Sequence, residues 1–197
     1  MQKINKKIFI ILLIAVCAVG AFVYYGIKTD WFVLWRLPKN LSPQQIEKSY
    51  EQFLNEGLAA EAEQKYAAAI LAYQKALKIA PDAMPPRNNI AEICLKTEDY
   101  GCAEKWLLEI IKKEYDPGAV IKLSRLYREK MGDNQKAVDI LRSAQVALPS
   151  YLDFAYQLGF LYKEIGDKER AKEYLNKALK LAPNDQNIKD LLSELNK

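Results

Sequence analysis

One short stretch decides the fold, DKERAKEYLNKAL at residues 167–179. Similar segments occur three more times, as KYAAAILAYQKAL at 65–77, DYGCAEKWLLEII at 99–111 and DNQKAVDILRSAQ at 133–145. One alanine holds the same place in every segment and recurs every 34 residues, at Ala69, Ala103, Ala137 and Ala171. A constant period of this length indicates stacked structural repeats.

Each repeat is predicted to contain two helices. In the last repeat, Leu158 and Tyr162 are spaced as on one helix face, and Ala171 and Leu175 repeat that spacing after a turn at Gly166. Proline and capping residues mark helix starts at four places, Ser42-Pro43, Pro85-Pro86, Asp116-Pro117 and Ser150 with Asp153. The sequence therefore predicts an all-α fold of helix-turn-helix units.

The repeat resembles the tetratricopeptide repeat, a 34-residue helix-turn-helix unit. The last repeat carries most of the residues of that motif, Leu158, Gly159, Tyr162, Gly166, Ala171, Ala178 and Pro183. The other repeats depart more, with Glu56 where leucine is usual, Tyr115 where proline belongs and one extra residue before Gly132. The resemblance implies a right-handed α-solenoid over residues 41–197, with repeats at about 50–83, 84–116, 117–151 and 152–185.

The last residues of the chain are predicted to cap this solenoid. Apolar residues follow helical spacing on one face, at Ile188, Leu191, Leu192 and Leu195. We expect an amphipathic capping helix over residues 186–196, because a terminal repeat needs a polar outer face.

The resemblance also implies a binding groove, since the first helix of each pair lines a concave surface that binds protein segments in this family. Carried over by position, the groove residues are Leu54, Leu58, Asn88, Asn89, Glu92, Lys122, Arg125, Arg128, Tyr156, Gln157, Phe160 and Lys163. We expect Arg125 and Arg128 to be exposed on one helix face, where they could meet one carboxylate, with Tyr156 and Phe160 as aromatic anchors. A solvated helix face and burial against the capping helix are the competing interpretations. Leu54 and Leu58 stand where chaperone adaptors carry Lys and Asn, which argues against that type of carboxylate clamp.

An uncharged run precedes the repeats, IFIILLIAVCAVGAFVYYGI at residues 8–27. At about 1.5 Å per residue it can span a hydrocarbon core of about 30 Å, and aromatic residues at 24–37 form an interfacial collar. Residues 1–40 are therefore predicted to be a membrane anchor that contacts the bilayer through residues 8–37. Cleavage near Gly20 is the competing interpretation and would release a secreted protein.

The charges around this run predict its orientation. Lys3, Lys6 and Lys7 precede it without an acidic residue, which favours a cytoplasmic N-terminus and a repeat domain outside the cytoplasm. Lys28, Arg36 and Lys39 follow the run and weaken the asymmetry, so a cytosol-facing domain remains an alternative.

Composition excludes several classes of function. The chain has no histidine, so serine-type catalytic triads and His-ligated zinc are absent. The net charge of +4 resides in residues 1–40, where six Lys or Arg face one Asp, and residues 41–197 carry −1. Nucleic-acid binding is therefore not expected. With no phosphate loop and no metal-ligand cluster in the sequence, we expect neither an enzyme nor a bound cofactor or metal.

Cys94 and Cys102 lie eight residues apart, on the two predicted helices of the second repeat. This spacing fits neither a C-x-x-C redox motif nor a zinc site. The two residues could form a disulfide in an oxidising compartment, or they could be two small buried thiols.

These features predict a membrane-anchored scaffold that binds a peptide or protein segment and assists assembly of an envelope complex. A cytosol-facing receptor for targeting segments and a secreted binding protein are the alternatives.

Overall fold

The computed structural model describes residues 42–196. Residues 42–48 group with the N-terminal unit of the chain, and residues 49–196 form a second compact unit. The described range contains helices and turns and no strand, as predicted for an all-α fold. Its α-helices are α1 (Pro43–Ala62), α2 (Tyr66–Ile79), α3 (Met84–Lys96), α4 (Tyr100–Glu114), α5 (Pro117–Arg125), α6 (Asn134–Ala147), α7 (Leu152–Ile165), α8 (Lys168–Leu181) and α9 (Gln186–Leu195). A π-helical turn, Leu126–Lys130, continues α5.

The helices pack in chain order. From α2 onward, each helix contacts the next one along the chain, and these contacts enclose one hydrophobic core that reaches α9. Because each repeat touches only its neighbours, the architecture is a solenoid of helix pairs.

Small residues allow the two helices of a pair to approach closely. The four alanines that define the period are fully buried, at Ala69, Ala103, Ala137 and Ala171. A Cβ atom added to Gly57 would lie 2.3 Å from Cε1 of Tyr73, and one added to Gly159 would lie 2.6 Å from Cγ of Leu175. Gly57 and Gly159 therefore sit where no larger side chain fits.

The turns inside the repeats share one geometry. Each contains a residue with positive φ, and these residues also recur every 34 positions, at Gln64, Glu98, Gly132 and Gly166. After the last three, an aspartate caps the next helix, since Asp99, Asp133 and Asp167 accept hydrogen bonds from Cys102, Lys136 and Arg170 backbone N–H groups.

Two predicted helix starts had different outcomes. Ser42 and Gln45 form the reciprocal capping pair that the sequence indicates, with N···O distances of 2.8 and 3.3 Å. The prediction for Ser150 was wrong, because α7 begins at Leu152 after Tyr151, and no side chain caps it.

Two buried tyrosines tie helices together through carboxylates. Tyr73 of α2 donates to Glu61 of α1 at 3.0 Å, and Tyr127 donates to Glu104 of α4 at 2.8 Å. The pKa of Tyr73 is raised to about 12, mainly by burial and secondly by the hydrogen bond to Glu61. Burial raises the pKa of Tyr127 as well, so both hydroxyls stay protonated donors at neutral pH.

The π-helical turn accommodates the extra residue of the third repeat. The backbone N–H of Met131 bonds to the carbonyl of Leu126 at 3.1 Å, five residues back. The backbone N–H of Asp133 donates to the carbonyl of Tyr127, six residues back. In the fourth repeat the equivalent bond, from Asp167 to the carbonyl of Tyr162, spans only five residues. The insertion thus widens one helical turn and leaves the 34-residue spacing of the following turn unchanged.

Deletion of Met131 should therefore be tolerated. The deletion shortens the segment from Tyr127 to Gly132 to the length of the equivalent segment of the fourth repeat, Tyr162 to Gly166. The π-helical turn can then become α-helical. We expect the free energy of unfolding, measured by urea titration, to change by less than about 1 kcal/mol.

Deletion of Ile165 is the matched control, since α7 has no extra residue to lose. It should destabilise the protein clearly. A loss of several kcal/mol on deletion of Met131 would instead show that the packing of the third repeat requires the insertion.

The structure ends in α9, where Ile188 and Leu195 are buried against the core and Leu191 and Leu192 are half-buried.

None of the helices within residues 42–196 combines the length and apolar character that crossing a membrane requires. The predicted membrane helix at 8–27 and its aromatic collar lie outside the described residues.

Candidate protein-binding groove

The predicted groove residues lie on the first helices of the four pairs. Leu58, Glu92, Lys122 and Arg125 are exposed. The others are half-buried, namely Leu54, Asn88, Asn89, Arg128, Tyr156, Gln157, Phe160 and Lys163. The structure therefore leaves all twelve side chains at least partly accessible.

Ion pairs connect neighbouring first helices across this face. Lys122 of α5 pairs with Glu92 of α3. Arg128 in the π-helical turn lies 3.3 Å from Glu164 of α7, and Lys163 of α7 pairs with Glu194 of α9. Three of the four predicted groove cations are thus already neutralised within the chain.

The expectation that Arg125 and Arg128 act as an exposed pair was wrong for Arg128. Its side chain is 20% exposed, pairs with Glu129 as well as Glu164, and lies over the ring of Phe160 at 5.4 Å. This stacking covers one face of the predicted aromatic anchor. Arg125 has no ion-pair partner in the described part of the chain.

A pocket of about 230 Å³ opens between α3 and α5. It contains three of the predicted residues, Glu92, Lys122 and Arg125. The remaining lining was missed by sequence reasoning, namely Leu95, Tyr100, Leu126, Glu129 and Lys130. Three of these five belong to the π-helical turn, so the extra residue before Gly132 was the available signal.

The other predicted groove residues do not line this pocket. Leu54 and Leu58 lie on α1, and Tyr156 and Gln157 lie on α7, each on a helix that contributes nothing to the lining. The pocket thus brings together three residues from the centre of the predicted groove, and the two ends of the groove lie outside it.

Two residues of the pocket lining, Leu95 and Tyr100, lie between Cys94 and Cys102 in sequence. The Cα atoms of the two cysteines are 5.6 Å apart, a distance compatible with a disulfide. Cys94 is buried and Cys102 is half-buried. The fold therefore permits the disulfide that the sequence spacing left open, and its formation stays a prediction.

We expect that this disulfide forms when the repeat domain faces an oxidising compartment. Full-length protein, isolated without reductant and alkylated after denaturation, should then carry one modified cysteine out of three, Cys17. Mass spectrometry measures this number. The Cys94→Ser variant should show two modified cysteines because Cys102 becomes free, and three in the unaltered chain would contradict the prediction.

Comparison with known proteins supports the fold. The tetratricopeptide repeat profile matches residues 53–83 and 152–185, the first and fourth repeats. No curated protein sequence matches the chain.

Solved structures of similar fold include three from repeat proteins. The MamA protein superposes with a TM-score of 0.59 at 19% identity, over 76% of this chain and 81% of MamA. PilF from Pseudomonas aeruginosa gives 0.56 at 17% identity, over 76% and 68% of the two chains. A tetratricopeptide repeat protein from Parabacteroides merdae gives 0.62 at 15% identity, over 76% and 60%.

Two observations thus agree with the resemblance of the sequence to the tetratricopeptide repeat. The 34-residue period is realised as helix pairs with buried alanines at the crossing points, and both profile and structural neighbours are of the same kind. The fold is the one that protein interaction scaffolds use, and proteins of this kind are in general not enzymes. The chain contains tetratricopeptide repeats, which the family profile matches at two of its four helix pairs.

Proposed function

We propose that this chain is a membrane-anchored scaffold whose groove, on the first helices of its four repeats, binds an extended segment of another protein. The observation that carries the proposal is the pocket between α3 and α5, where Arg125 is exposed without an ion-pair partner among residues 42–196. The other three predicted groove cations are paired within the chain, so Arg125 is the one among the four that a partner can neutralise without breaking an existing contact.

The N-terminal sequence supports membrane attachment. The uncharged residues 8–27 have the length of a bilayer-spanning helix, and three lysines precede them. We propose that the repeat domain lies outside the cytoplasm and that its partner belongs to an envelope complex. The lysines and arginine at 28–39 are the observation that favours the alternative, a cytosol-facing receptor for targeting segments.

Photocrosslinking in living cells tests the groove. The photoreactive residue p-benzoylphenylalanine, introduced in place of Tyr156 on α7, should form an adduct with one segment of one partner protein, identified by mass spectrometry. Tyr174 is the matched control, because it is also a half-buried tyrosine of the fourth repeat but lies on the second helix, α8. Equal adducts from both positions, or none from Tyr156, would contradict groove binding.

Protease accessibility tests the orientation. Protease added to spheroplasts should digest the repeat domain while a cytoplasmic protein stays intact. Full protection of the domain, followed by digestion after lysis, would favour the cytosol-facing alternative and overturn the proposed topology.

A further inference from the structure

We propose that the pocket between α3 and α5 receives an acidic side chain of the partner, together with an aliphatic side chain next to it. This inference rests on the proposed function and specifies the chemistry of the segment that the groove recognises. It is carried by the charge balance of the pocket, by its size and by the π-helical turn.

The charges of the pocket do not cancel. Its two carboxylates are engaged, because Glu92 pairs with Lys122 and Glu129 pairs with Arg128. Arg125 and Lys130 remain without an ion-pair partner among residues 42–196. Two unpaired cations in one concave site favour an anionic group, and a guanidinium binds a carboxylate through two parallel hydrogen bonds.

The size and the apolar lining narrow the occupant further. At about 230 Å³ the pocket is smaller than the roughly 300–1,000 Å³ that small-molecule sites occupy, so it suits one or two amino-acid side chains. Its lining includes the buried Leu126 and the half-buried Leu95 and Tyr100. An aliphatic group beside the carboxylate would cover this apolar surface.

The π-helical turn places part of this lining. It begins directly after Arg125 and contributes Leu126, Glu129 and Lys130. Turns of this kind are common at functional sites, because one added residue changes the direction of the side chains that follow. Here the same turn directs Arg128 away to Glu164 and Phe160 while Lys130 lines the pocket.

Binding of a defined peptide to the full-length chain in lipid nanodiscs tests the proposal. The probe is fluorescein-labelled Gly-Ser-Leu-Glu-Leu-Glu-Leu-Ser-Gly, and its partner peptide has glutamine in place of both glutamates. Fluorescence anisotropy should show that the glutamate peptide binds at least about tenfold more tightly, and that added salt reduces this difference.

Variants of the protein locate the site. Arg125→Glu and Arg125→Gln should each weaken binding of the glutamate peptide by about tenfold or more. Arg142→Glu is the matched control, since Arg142 is an exposed arginine on the second helix α6, and it should change the affinity by less than about twofold. Circular dichroism checks that all variants fold.

Equal affinity of the two peptides, or unchanged binding by both Arg125 variants, would overturn the proposal. A change of self-association in Arg125→Glu, measured by sedimentation, would assign the pocket to a second copy of the chain and also overturn it. Loss of this inference leaves the proposed function intact if Tyr156 still crosslinks to a partner, so the two failures are distinguishable.

Discussion

Gly159→Leu is expected to lower the free energy of unfolding by about 3 kcal/mol. A Cβ atom at this position would lie 2.6 Å from Cγ of Leu175 and 3.0 Å from its backbone nitrogen. The side chain of Leu175 can turn aside, but its backbone belongs to α8 and cannot. The leucine therefore forces α7 and α8 apart and exposes their shared apolar surface, which urea titration measures as a lower midpoint.

Gly101→Leu is the matched control. Gly101 lies exposed in the first turn of α4, and a Cβ there would meet only Asp99 Oδ1, at 3.9 Å. This substitution should leave the stability unchanged or raise it by up to about 1 kcal/mol, because glycine disfavours helices. If Gly159→Leu had the same urea midpoint as the unaltered protein, the close contact of α7 and α8 would be disproved.

The second large effect is expected for Arg87→Met, which should cost about 3 kcal/mol of folding free energy. Arg87 is 5% exposed, and its guanidinium donates to the carbonyl oxygens of Pro81 at one nitrogen and Ala83 at another. These two carbonyls belong to the connection between α2 and α3. Methionine fills a similar volume but leaves both oxygens without this donor.

Arg170→Met provides the comparison. Arg170 has a side chain that is 62% exposed and forms a surface ion pair with Asp167 at 3.2 Å. Its replacement should cost less than about 1 kcal/mol, as is usual for exposed pairs. Arg87→Lys should fall between the two methionine variants, since it keeps the charge but not the forked donor. Equal losses for Arg87→Met and Arg170→Met would contradict the structural role of Arg87.

The sequence indicates the structural role of Gly159 but not that of Arg87. Gly159 belongs to the repeat motif that the sequence shows, and the short distances to Leu175 explain why this position holds a small residue. Arg87 had no such signal. Its burial depends on the path of the chain between two repeats, and a cation in a polar stretch reads as an exposed residue until that path is known.

In the candidate site, too, the sequence indicated some features and only the structure showed others. The helical period placed Glu92, Lys122 and Arg125 on first helices, and the structure brings these three into one pocket. Sequence reasoning did not find the pairing of Lys122 with Glu92 or of Arg128 with Glu164. Such partners lie about one repeat apart, and which of several nearby residues they meet depends on side-chain conformations across two helices.

The sequence by itself determined the helix pairs, their period and the buried alanines Ala69, Ala103, Ala137 and Ala171. These features follow from local spacing, because each repeat contacts only its neighbours and one pattern serves them all. Only the tertiary structure decided which groove charges remain unpaired and how the extra residue before Gly132 is accommodated. Those outcomes depend on contacts between helices, where a widened turn at Leu126–Lys130 redirects Arg128 to α7 and leaves Arg125 facing the pocket.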